Sequence, residues 1–133
     1  MKEQIDMTVY EKVVADYIQA LDAGDIEAIL LCFADGAVVN SPFLGIMPAH
    51  EFFPKVLESS TKSDITLYDI LLSAQGQPRA IGYFNYDWTL RDGSKVVFDV
   101  ADVFDFDHDG RISSMIILYD THPIREQVGN KYG

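Results

Sequence analysis

Apolar side chains recur every three or four positions in the first third of the chain, and every second position from residue 63 onward. Thr8 and Glu11 stand in the S/T-x-x-E spacing that opens a helix. Tyr10, Val13, Val14, Tyr17 and Leu21 then form one buried stripe, which Gly24 ends. Asp25 is placed to cap a second helix through Ile26, Ile29, Leu30 and Phe33. Asp35-Gly36 breaks that helix, Ala37 to Asn40 reads as a short strand closed by Ser41-Pro42, and Gly45 falls in a loop leading to Pro48. A third helix is expected over 48–60, with Phe52, Phe53, Val56 and Leu57 for packing and with a kink or early boundary at Pro54. Strands follow at 64–73, 79–90, 95–107 and 111–121, with turns at Gln75-Gly76, Asp92-Gly93 and Asp109-Gly110.

Short turns make the strands antiparallel neighbours, and the three helices are the cover available for one side of their sheet. The expectation is a single α+β domain over 1–133: a cone of three N-terminal helices on a strongly curved, mostly antiparallel sheet, with a cavity between them.

One strand breaks its own rule. In 95–107, Phe98, Val100, Phe104 and Phe106 share a face, while Asp99, Ala101, Val103, Asp105 and Asp107 share the other. Asp102 sits in the middle of the Phe/Val face. A lone carboxylate there costs several kcal/mol by desolvation, so it is hydrogen-bonded, paired or protonated. A satisfied core aspartate, or a register shift that puts residue 102 in solvent, is the competing reading. Tyr17 repeats the anomaly, a hydroxyl on the buried stripe of the first helix, although buried tyrosines commonly belong to the core. A phenol and a protonated carboxyl aimed into one dry cavity would together stabilise an enolate-like oxyanion.

Composition narrows the partners. The chain has 133 residues, 48% hydrophobic and 23% charged, which is ordinary globular usage. A net charge of -11 opposes binding to nucleic acid or anionic lipid. No apolar run approaches the ~20 residues of a membrane helix, and the opening MKEQIDMTVYEK is unlike a signal or transit peptide. The lone cysteine, Cys32, is flanked by Leu30, Leu31 and Phe33 and reads as an inert thiol, so a cytoplasmic setting is expected.

The stretch DYIQALDAGDIEAILLCFADGAVVNSP (16–42) resembles the front end of ketosteroid isomerases and related NTF2-like (SnoaL-like) proteins. DVADVFDFDHDGRISSMIILYD (99–120) resembles their last two strands, and Glu51-Phe52-Phe53 is similar to their third helix. The resemblance implies a cone fold, a homodimer packed through the outer sheet face, and a pocket for a small apolar ligand. Ala101 and Val103, apolar on that outer face, agree with the dimer. By position, the resemblance puts Tyr17 and Asp102 on the family's oxyanion-hole tyrosine and aspartic acid. The family's proton-shuttling aspartate corresponds here to Ser41, a very poor base at neutral pH.

Asp87, Asp120, His50 and His122 are substitutes for that base, each also readable as a surface group. The rest of the cavity wall is assigned to Asn40 and Ser41 on the first strand and Phe52 on the third helix. Phe84, Tyr86 and Trp88, then Val100 and Phe104, then Met115, Ile117 and Tyr119 complete it. Asp105, Asp107, Asp109 and Gly110 mimic the start of a calcium loop, but Ile116 stands where its glutamate belongs, and solvated hairpin aspartates explain them better. His50, His108 and His122 are too dispersed for zinc, and no cofactor is expected. Three functions remain open: an isomerase or cyclase of an apolar carbonyl compound, a non-catalytic binder using the same pocket, or a dimerisation domain whose interior is filled by Phe84, Tyr86, Trp88 and Phe104.

Overall fold

The computed structural model describes residues 7–122, with side chains from residue 9. Three helices, α1 (Met7–Ala23), α2 (Ile26–Leu31) and α3 (Ala49–Glu58), cover one face of a six-stranded sheet. Its strands are β1 (Phe33–Ser41), β2 (Gly45–Pro48), β3 (Ser60–Leu72), β4 (Arg79–Leu90), β5 (Lys95–Phe106) and β6 (Ile112–Leu118). Their order is β2-β1-β6-β5-β4-β3, so β2 and β3 are open edges and the sheet curves without closing. All neighbours are antiparallel except β1 and β6. That parallel pairing is what a strand lying between helices and a later meander requires.

The helix ends follow local chemistry. At Gly24, φ is 68°, a conformation that costs a residue without Cβ little. The Asp25 N–H then reaches the Ala20 carbonyl at 3.0 Å and the Gly24 N–H reaches Leu21 at 3.1 Å, a Schellman closure of α1. Asp25 caps α2 by accepting from the Ala28 N–H at 3.1 Å. Thr8, by contrast, is already inside α1, which is helical from Met7.

Several boundaries differ from expectation. Phe33 opens β1 rather than closing α2, and a bulge between Phe33 and Val38 absorbs Asp35-Gly36 within the strand. Gly45 begins a strand instead of lying in a loop, because β2 folds back on β1 with Ser41 opposite Gly45 and Val38 opposite Pro48. Pro48 is the N-cap residue of α3, one position before its first turn. Pro54 neither ends nor starts that helix, although it cannot supply the N–H that the His50 carbonyl would otherwise accept. β3 begins four residues early, and bulges between Ser60 and Lys62 and between Leu67 and Asp69 bend it over the helices.

The core lies between α1 and the inner face of β4, β5 and β6. Val14, Tyr17, Phe53, Phe84, Phe104, Ile112 and Met115 are fully buried there. Gly82 sits beneath α1, where an added Cβ would stand 3.1 Å from Val14 Cγ1, so the absent side chain sets how closely the helix approaches. Among the described residues, no helix is long and apolar enough to cross a membrane.

Candidate functional site

Gly82 pairs across the sheet with Asp102, and Asp102 pairs on its other side with Ile117. The strand alternation therefore aims the Asp102 carboxyl at the helices, in the row of Val100 and Phe104. Asp102 is 2% exposed, the sole buried charged-type residue among those described. The register reading of Asp102 holds, and the alternative of a solvent-facing carboxyl does not.

Tyr17 arrives from α1 at the same level. Its ring meets the edges of Phe33, Phe53 and Phe104 at centroid separations of 5.9, 5.9 and 5.3 Å. Such edge-to-face contacts, each worth roughly 0.5–1.5 kcal/mol beyond burial, fix the ring and hence the hydroxyl. Neither the Tyr17 hydroxyl nor the Asp102 carboxyl has a hydrogen-bond partner among the described residues, yet both residues line a cavity of about 370 Å³. Protein interiors rarely leave two buried polar groups unpaired. Burial holds the Asp102 pKa well above the ordinary carboxylate range. Burial, and after it the nearby Asp102, Tyr86 and Cys32, pushes the Tyr17 phenol well above its ordinary value. Both groups are thus biased toward the protonated, hydrogen-donating form.

The walls are mostly aromatic. Tyr86 and Trp88 lie parallel, 6.0 Å apart with an interplanar angle of 11°, and Phe98 packs on Tyr119 at 4.7 Å. Burial first, and then the nearby Asp102 and Asp22, raises the Tyr86 phenol as well. Its hydroxyl and the Trp88 Nε1 are buried without a hydrogen-bond partner among the described residues. The nearby Ser63 hydroxyl is directed to the Leu21 and Asp22 carbonyls, each at 3.3 Å.

Of the residues assigned from sequence, Tyr17, Ser41, Phe52, Phe84, Tyr86, Trp88, Val100, Asp102, Ile117 and Tyr119 line the cavity. Asn40 does not: it is exposed on the opposite face of β1, because Val39 takes the inward position. Phe104 and Met115 face inward but are packed into the core behind the cavity, at 0% and 1% exposure. Ser41 Oγ accepts the Leu44 N–H at 3.3 Å, so part of its hydrogen-bonding capacity holds the β1–β2 turn. None of the four substitute bases lies in the lining. Asp87 is on the outer face with Lys95 at 3.3 Å, Asp120 accepts the His122 N–H at 3.0 Å, and His50 stands exposed 3.7 Å from Glu51.

Sequence reasoning missed Leu21, Phe43, Leu44, Phe53, Lys55, Val56, Glu58, Ser59 and Phe98 in the lining. Phe98 was within reach, since it shares the face of Asp102. Phe43 and Leu44 sit in a turn, and Lys55, Glu58 and Ser59 are polar residues at a helix end, where no periodicity marks a cavity.

Away from the cavity, Cys32 is half-buried and pushed up to about 11, by burial and then by Asp16, with Lys12 opposing. Asp107 accepts the Asp109 and Arg111 N–H groups at 2.9 and 3.0 Å, and Asp105 pairs with Arg79 at 2.6 Å. These aspartates build a hairpin.

Three helices covering one face of a curved sheet, around an apolar cavity with buried acids, define an α+β cone of the NTF2-like class. The model of the SnoaL-like domain matches residues 14–115, and the chain belongs to that family. Solved structures with the same fold include SalBIII, an epoxide hydrolase/cyclase-like enzyme of pyran ring formation in the polyether salinomycin. It is 18% identical with a TM-score of 0.76, over 89% of this chain and 95% of that one. An NTF2-like protein of unknown function from Burkholderia pseudomallei is 15% identical with a TM-score of 0.77, over 90% and 97%. TerC, co-crystallised with polyporic acid, is 16% identical with a TM-score of 0.76, over 91% and 98%.

Proposed function

We propose that this protein is an isomerase or cyclase of an apolar carbonyl compound, in which Tyr17 and Asp102 donate hydrogen bonds to the substrate oxygen as negative charge builds on it. The observation that carries this reading is that two acids, Tyr17 from α1 and Asp102 from β5, meet at one cavity with no hydrogen-bond partner among the described residues. Each costs free energy while unpaired, and a ligand oxygen bound between them relieves both. A cavity of about 370 Å³ lies in the range of small-molecule sites. The fold's use by SalBIII in ring formation, and the polyporic acid complex of TerC, support small organic ligands for this site as well.

Trp88 is the chain's one tryptophan and lines the cavity, so its fluorescence reports occupancy. A nitrophenol, which mimics an enolate, is expected to quench it. Tyr17→Phe and Asp102→Asn are each expected to weaken that binding tenfold or more, about 1.4 kcal/mol, with the fold intact. Equal affinity in all three proteins would rule the reading out.

A non-catalytic binder with the same donors is the second reading, favoured by Ser41, whose oxygen serves the β1–β2 turn instead of a proton transfer. The outer sheet face, where Val38, Tyr83, Val97, Ile116 and Leu118 are exposed, supports a homodimer through that face. A cytoplasmic setting belongs to the same proposal.

A further inference from the structure

Two residues that line the cavity, Tyr86 and Trp88, hold buried donors that nothing accepts from. Tyr86 is 8% exposed, and neither its hydroxyl nor the Trp88 Nε1 meets an acceptor among the described residues. An indole N–H can only donate, and a phenol donates wherever an acceptor is within reach. We propose that Tyr86 and Trp88 form a second hydrogen-bonding subsite, at which the ligand presents an acceptor oxygen remote from the one held by Tyr17 and Asp102. The inference deepens the small-ligand reading above and rests on it.

Unpaired buried donors are rare in folded proteins, because each has given up its bonds to water without a replacement. Here two occur two residues apart on one strand, with ring planes within 11° of parallel and centroids 6.0 Å apart. A single oxygen, with two lone pairs, can accept from both. The Ser63 hydroxyl nearby already faces the Leu21 and Asp22 carbonyls at 3.3 Å each. Both donor atoms are covered, so an incoming oxygen reaches them by a small turn of the half-buried Trp88 ring.

The placement of the two residues shapes the ligand. Gly82 pairs with Asp102, and Tyr86 and Trp88 follow Gly82 along the same inward row of β4. Their backbones stand roughly 13 and 20 Å beyond it, at about 3.3 Å per residue. The stretch between is apolar, with Phe84 opposite Val100 and Phe98 opposite Tyr86. The ligand that fits is therefore an aromatic or similarly flat apolar compound with an oxygen toward each end. Uncharged donors in dry surroundings favour a neutral carbonyl or ether oxygen over a carboxylate for the second position.

Calorimetry with matched phenols tests the subsite: an acetyl-naphthol against the isopropenyl-naphthol of the same shape, and the longer acetyl-biphenylol against its isopropenyl counterpart. Wild type is expected to bind at least one acetyl compound tenfold or more tighter than its partner. That preference is expected to fall below threefold in Tyr86→Phe and in Trp88→Phe, and to persist in Tyr17→Phe, where both members of the pair weaken together. Equal affinity within both pairs, with binding still dependent on Tyr17 and Asp102, would overturn the subsite alone. Affinities indifferent to Tyr17 and Asp102 would instead overturn the reading on which it rests. Urea denaturation separates a purely structural role. A donor held unpaired at a cost to the fold predicts a midpoint for Tyr86→Phe equal to or above that of wild type. A lower midpoint would mean that the hydroxyl is bonded within the protein, to Ser63 for example, and would overturn the proposal.

Discussion

A carboxyl at residue 102 is costly when charged, and its pH dependence has a definite sign. Burial raises its folded-state pKa, so as pH rises the unfolded chain ionises first, near ~3.9. Above that pH the folded protein holds a proton that the unfolded chain has released. Stability is therefore greatest at or below the unfolded value and falls as pH rises toward the folded one, by up to about 1.4 kcal/mol per unit. Asp102→Asn removes this dependence. Its stability relative to wild type is expected to improve steadily from pH 4 to pH 7 in urea denaturation, and two parallel profiles would show that residue 102 is not protonated by burial. Both special residues were legible in the sequence for one reason, that each is polar where a period-two or period-3.6 pattern demands an apolar side chain. Asn40 misled because the end of the first strand offers too few residues to fix which side faces inward. Glu58 carried no such contrast, since a glutamate at a helix end is polar whether it faces solvent or a cavity mouth.

Local signals also defined most elements. Schellman closure at Gly24, the Asp25 cap and the three Gly-containing turns fall where the chain calls for them. The β2 hairpin was hidden because Gly45 to Pro48 is a four-residue strand with a proline at its end, too short for alternation to register. Bulges in β1 and β3 were equally silent, since they depend on how the sheet bends over the helices rather than on residue type. The contact between α1 and β4 offers a direct test of packing at this scale. Gly82→Ala places a methyl 3.1 Å from Val14 Cγ1, and Val14 is completely buried and stiff within a helix. A loss of about 1–3 kcal/mol is expected in chemical denaturation. An unchanged midpoint would mean that α1 can shift and that the glycine does not set its height.

Across the whole molecule, the two faces of the sheet have different occupations. The inner face holds the core and the cavity, while the outer face exposes apolar side chains from β1, β4, β5 and β6. If that face joins two copies, sedimentation is expected to give a dimer, and Ile116→Lys with Leu118→Glu is expected to give a folded monomer. A wild-type monomer at all concentrations would leave the face unpartnered. The proposed chemistry rests on the inner face, and above all on Asp102, which burial biases toward its neutral form. Infrared difference spectra between wild type and Asp102→Asn at pH 7 address this most directly. A protonated carboxyl band belonging to residue 102, shifting when a phenol binds, is the expected result. A carboxylate band in its place, unmoved by the phenol, would contradict the oxyanion site.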